Sequence, residues 1–141
     1  MSSPPPVGMS DYLELARLVI EISWRIDHGK ADTVAELFVE DGELDLGKTI
    51  FKGREEIREW GRKVVNDPQY RGIRHACTNM RFLSLGQNSA EGFTLVMAYM
   101  RDRDGSRATL PFAVGEDHDR YLRTDQGWRM VSRAWQELYS R

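Results

Sequence analysis

The feature that most constrains this chain is a change of period near residue 73. Before that point apolar residues recur at helical spacing. After it they alternate with polar residues to the end of the sequence. The alternating half breaks at Gly86-Gln87-Asn88, Asp104-Gly105 and Asp125-Gln126-Gly127, each a hairpin signal. Four long strands are therefore expected, Ile73–Leu85, Ala90–Asp102, Thr109–Arg123 and Trp128–Leu138. Long strands joined by short turns imply an antiparallel meander. Helices followed by a meander read as an α+β fold.

In the first half, Ser10 is placed to cap a helix, with Asp11 and Glu14 where acids suit the helix dipole. Leu13, Ala16, Val19, Ile20, Ser23, Trp24 and Asp27 then fall on one face, and Gly29 stops the helix. Asp32 is expected to cap a second, short helix carrying Val34, Ala35, Leu37 and Phe38. Glu40-Asp41-Gly42 reads as a turn, and Leu44–Leu46 with Ile50–Lys52 as a small hairpin. Gly53 opens a third helix, with Ile57, Trp60, Gly61 and Val64 as its apolar face, and Asn66-Asp67-Pro68 ends it. The segment 1–9, with its Pro4-Pro5-Pro6 run, is expected to be a disordered or extended tail, and 10–141 a single domain.

Three helices cannot cover both faces of so long a sheet. Long strands coil, and a coiled sheet with helices on its concave side encloses a cavity, giving a cone. The chain carries four Trp, five Phe and five Tyr, generous for 141 residues and suited to lining such a space. Strand parity points His75, Cys77 and Asn79 inward, together with Gly115, Asp117, Asp119 and Tyr121, and Val131, Arg133 and Trp135. The outer face is left apolar, which implies a homodimer.

Several classes of partner are excluded. The net charge is −2 with no basic stripe, so nucleic-acid binding has no electrostatic basis. No apolar run approaches a membrane span, and the first nine residues lack the pattern of a signal peptide. With one cysteine, Cys77, and no export signal, a cytoplasmic location is expected. Cys77 itself reads as a small buried residue. There is no Gly-rich phosphate loop. In Glu116-Asp117-His118-Asp119, alternation sends His118 away from both aspartates, which argues against a shared metal. Neither cofactor nor metal is expected, only a small-molecule ligand.

The ordered set Asp27-x-Gly29, Leu37-Phe38 with Asp41, Gly53-Arg54-Glu55-x-Ile57, Arg74-His75-x-x-x-Asn79, and Asp119 ahead of Asp125-x-Gly127-Trp128-Arg129 carries a resemblance. It resembles the SnoaL-like branch of the nuclear-transport-factor-two-like superfamily, from about Asp11 to Leu138. The resemblance implies a cystatin-like α+β barrel. It does not imply one activity, because the superfamily holds isomerases, dehydratases, cyclases, dehydrochlorinases and pure binding or assembly modules. Similarity to scytalone dehydratase and to hexachlorocyclohexane dehydrochlorinase implies that Asp27 is hydrogen-bonded to His75. The dehydrochlorinase's last-strand arginine matches Arg133, while its pocket lysine matches Ile22. Leu46 stands where the ketosteroid isomerase base is found, and Asp119 matches that enzyme's second carboxylate.

The chemistry that follows is proton abstraction from carbon. A neutral imidazole suits that task, and a carboxylate accepting from one ring nitrogen sets its tautomer. Arg133 would stabilise a developing anion. The expected catalytic residues are Asp27, His75 and Arg133, and the expected substrate contacts are Trp24, Asn79, Tyr99, Asp119, Tyr121 and Trp135. The expected function is a cofactor-independent lyase or isomerase acting on a small apolar, polycyclic or aromatic molecule. The plainer alternatives are a histidine that only holds helix to sheet, an Arg133 that only pairs with Asp117 or Asp119, and a non-catalytic binding or assembly module.

Overall fold

The computed structural model describes residues 2–101, 104 and 110–140. Helix α1 (Met9–Asp27) leads through a 3₁₀ segment (Ala31–Leu37) into strands β1 (Phe38–Asp45) and β2 (Ile50–Lys52). Helix α2 (Gly53–Asn66) follows, then β3 (Arg74–Gly86), β4 (Ser89–Tyr99), β5 (Ala113–Thr124) and β6 (Gly127–Ser140). The fold is α+β, with helices packed on a curved sheet. The sheet order is β2-β1-β6-β5-β4-β3, and the sheet is open rather than closed into a barrel. The four-strand meander is antiparallel as expected, but β1 lies parallel to β6. No local turn joins those two strands, so nothing in the hairpin signals could reveal their direction.

Helix α1 begins after Gly8, not at Ser10, and no side chain among the described residues caps it. Its first-turn acids reach across to the sheet instead. Asp11 accepts from the Trp128 indole at 3.1 Å and from Arg123 at 3.0 Å, and Glu14 accepts from the Trp128 backbone N–H. The buried face is Leu15, Leu18, Val19, Ile22 and Ser23. Leu13, Ile20 and Trp24, expected inward, are exposed. The helix carries apolar residues on two faces, and periodicity cannot choose between them; packing on β3 does. Gly29 takes the positive φ that ends the helix.

The segment from Ala31 is 3₁₀, and Asp32 does not cap it. It packs closely on α2, where a Cβ on Gly61 would stand 2.2 Å from the Ala31 carbonyl oxygen. Glu40-Asp41-Gly42 does not turn the chain back. It forms a bulge within β1, whose register on β6 jumps between Phe38 and Glu43. The N-terminal segment runs extended along β3. Val7 donates to the Phe82 carbonyl, the Ser84 N–H donates to the Pro5 carbonyl, and Pro6 bridges Leu83. β5 starts at Ala113; Asp102, Gly105 and Thr109, expected at the preceding turn and strand ends, lie outside the described residues.

Two bulges reset strand parity. In β3 the register shifts between Thr78 and Arg81, with Asn79 at φ 53°. Asn tolerates that left-handed conformation better than most residues. His75 and Cys77 therefore face the concave side, and beyond the bulge Met80 and Phe82 join the core while Asn79 is exposed. In β6, Tyr121 pairs with Met130 and Arg120 with Ser132, so Val131 is the extra residue. Met130, fully buried, takes the core position expected for Val131.

Candidate active site

The concave side of the sheet holds a cavity of about 430 Å³, within the range of small-molecule sites. Ile22 and Ile26 of α1, Leu44 and Leu46 around β1, and Trp60 and Val64 of α2 form apolar walls. His75, Asp117, Arg133 and Trp135 line it from the long strands.

Asp27 closes α1 and reaches β3 through both carboxylate oxygens. One oxygen lies 2.5 Å from His75 Nδ1, and the other accepts the His75 backbone N–H at 2.9 Å. Arg74 donates to the Asp27 carbonyl at 2.9 Å, placing a cation at the helix C-terminus. An ionised carboxylate accepts only, so the ring proton sits on Nδ1 and the neutral imidazole keeps a lone pair on Nε2. Ser23 and Cys77, one turn earlier and two residues later, meet at 3.1 Å and tie the same helix and strand together. Burial raises the Cys77 thiol pKa, with Ser23 opposing in part.

Arg133 is held by its neighbours on β5. Asp119, its cross-strand partner, accepts from Nε at 2.8 Å and from Nη2 at 2.9 Å. The Tyr121 hydroxyl donates to Asp119 at 2.6 Å. Asp117 lies 3.3 Å from Arg133 Nη1. Burial alone would lower the pKa of Arg133, but Asp117 and Asp119 raise it above its ordinary value, so the guanidinium stays charged. Burial, then the charge of Asp119, raises the Tyr121 hydroxyl. The Asp117 carboxyl is pushed up to about 6 by burial, against the pull of Arg133.

The structure thus brings together Asp27, His75, Arg133 and Trp135. It separates the others from the cavity. Trp24 stacks on His28 at 4.3 Å and lies under Lys30 on the outside of α1. Asn79 is carried outward by the β3 bulge. Tyr99, at the end of β4, is exposed. Asp119 and Tyr121 are sealed behind Arg133 and do not line the cavity. Asp117 lines it and was absent from the expected contacts, although its parity with Asp119 was legible. Inward parity puts a residue on the concave face; only the packed neighbours decide whether it meets the void or the wall behind it.

A family model described as SnoaL-like domain matches residues 8–134. No curated protein sequence matches the chain. Among solved structures, a protein from Novosphingobium aromaticivorans provisionally assigned as an aromatic ring hydroxylase is similar at 23% identity, over 94% of this chain and 92% of its own, with a TM-score of 0.81. A provisionally assigned scytalone dehydratase of the same organism is 18% identical over 94% and 87%, also at 0.81. A type 2 hexachlorocyclohexane dehydrochlorinase is 19% identical over 93% and 87%, at 0.80. At these identities the likeness is one of fold.

Proposed function

The chain belongs to the SnoaL-like domain family, and from that premise we propose that it is a cofactor-independent lyase or isomerase for a small apolar, polycyclic or aromatic substrate. One observation carries the reading. Asp27 grips His75 at both ring and backbone, and the ring stands at the wall of an apolar cavity. In this reading His75 Nε2 takes a proton from carbon, Asp27 stabilises the imidazolium, and the charged Arg133 stabilises the anion that develops. Two Arg133 donors are bound by Asp119, and the residue also lines the cavity. The names of two structural relatives, a dehydratase and a dehydrochlorinase, agree with β-elimination.

A nitrobenzisoxazole tests this without knowledge of the natural substrate. Abstraction of its ring C–H proton breaks the N–O bond and releases a coloured phenolate. The parent protein should exceed free imidazole at equal concentration, and His75→Ala should lose roughly 100-fold or more. Equal rates for parent and variant, or a parent no faster than imidazole, would overturn the reading.

A homodimer belongs to the same proposal. The outer sheet face leaves Phe93, Leu95 and Met97 half-covered in a single chain, and Leu122 and Tyr139 exposed. A second copy seated there would cover them. Sedimentation equilibrium at micromolar concentration should give twice the chain mass, and a monomer would exclude it.

A further inference from the structure

The two aspartates on β5 differ in a way that points to a second reacting group. Asp119 is saturated by two Arg133 donors and the Tyr121 hydroxyl, and it has no access to the cavity. It takes both directed hydrogen bonds that the arginine makes to β5. Asp117 is a further acid in the same buried cluster, and its carboxyl makes no hydrogen bond among the described residues. It is ion-paired to Arg133 Nη1 at 3.3 Å, longer than the two bonds from Arg133 to Asp119. Thr94, its register partner on β4, has a buried hydroxyl with no hydrogen-bond partner among the described residues, so it does not tie the carboxyl down. Asp117 lines the cavity, and so does His75.

We propose that Asp117 is a second catalytic residue of this cavity, the general acid that protonates the leaving atom while His75 removes the proton from carbon. The proposal rests on the reading above and deepens it. The step balances. The C–H proton goes to His75 Nε2, and the C–H electron pair becomes the new π bond. The bond to the leaving atom breaks with its pair on that atom, which takes the Asp117 proton. Imidazolium and carboxylate remain, and exchange with water returns the proton from the first and supplies one to the second. The role needs an acid that keeps its proton above the ordinary carboxylate range, and burial holds the Asp117 carboxyl up to about 6, so the acid form is available on the acid side of neutrality. The directed hydrogen bonds to Arg133 are made by Asp119, which leaves the Asp117 carboxyl ion-paired but at the cavity wall.

Two probes with different leaving groups separate the roles. The phenolate released from unsubstituted benzisoxazole is more basic than that from a nitrobenzisoxazole, so it depends more on an acid. Asp117→Asn should slow the unsubstituted probe about 10- to 100-fold and the nitro probe by much less. The parent's rate on the unsubstituted probe should fall as pH rises through about 6, and that limb should vanish in Asp117→Asn and return in Asp117→Glu. The other charges bearing on Asp117 or sharing its cavity are Arg133 and Glu137 from β6, His75 from β3, and Asp119 and His118 from its own strand. The variants keep all of these, so the lost limb reports Asp117. Equal effects of Asp117→Asn on both probes, or none, would overturn this proposal alone while His75 dependence persists. A parent without turnover would overturn both readings.

Discussion

The two ends of the cone use the same strands and differ in what those strands turn inward. At the closed end Phe82, Tyr121, Trp128 and Met130 interlock beneath α1, with the Phe82 and Tyr121 rings edge to face at 5.9 Å. Gly92 passes so close that a Cβ would stand 2.7 Å from Phe82 and 2.9 Å from Tyr121. At the open end β5 and β6 present Asp117, Arg133 and Trp135, and a space of about 430 Å³ remains. The difference teaches how a small domain keeps a void. Close-packed aromatics at one end supply the burial energy. Polar bonds along the other wall, above all Asp119 to Arg133, hold its side chains against the sheet so that they do not fall in and fill it.

Removing Arg133 should disturb that wall most. Arg133→Ala leaves Asp119 buried with the Tyr121 hydroxyl as its remaining side-chain partner among the described residues, and takes from Asp117 its ion pair. It should cost about 3–5 kcal/mol in urea unfolding at neutral pH. A loss below about 1 kcal/mol would show that the open end does not need its ion pairs.

A second effect reads the buried acid itself. The Asp117 carboxyl stands at about 6 in the folded chain against an ordinary 3.8. Between those values the folded state holds a proton that the unfolded chain has released. The stability this group contributes is therefore full below about pH 4 and lost as pH rises through about 6. Relative to Asp117→Asn, the parent should lose up to about 3 kcal/mol between pH 4 and pH 7. A stability difference that is flat with pH would show that burial does not hold the proton.

The smallest effect sharpens the contrast in packing. Gly92→Ala at the closed end should cost about 1–3 kcal/mol, because two rings must move. Ala98→Leu, at the lip of the cavity, adds more volume and should cost less than about 1 kcal/mol, since it grows into empty space. Matching thermal-unfolding losses for the two variants would mean that the ends are equally packed.

How much of this was legible beforehand depended on distance along the chain. The hairpins at Gly86-Gln87-Asn88 and Asp125-Gln126-Gly127 were readable because turn residues act on their own backbone. Helix α2, from Gly53 to Asn66, was readable for the same reason. The buried side of α1 was not, since Leu13, Ile20 and Trp24 are as apolar as Leu15, Leu18 and Ile22. At the candidate site Asp27 and His75 were legible through resemblance, and their contact at 2.5 Å places them together. Trp24, Asn79, Tyr99, Asp119 and Tyr121 were misplaced, each by a helix rotation, a bulge, a strand end or a deeper layer that local pattern does not encode.

By itself, the amino-acid order determined the two α-helices, the meander and the inward parity of Asp117, Asp119 and Arg133 within unbroken stretches of strand. Those follow from backbone preference and from the two-residue period of a strand, both local properties. Only the tertiary structure decided that β1 would run parallel to β6, that bulges at Asn79 and Val131 would shift two faces by one residue, and that Asp117 would meet the cavity while Asp119 lay behind it. Those are outcomes of competition among distant surfaces for the same buried space, and no short stretch of sequence contains both competitors.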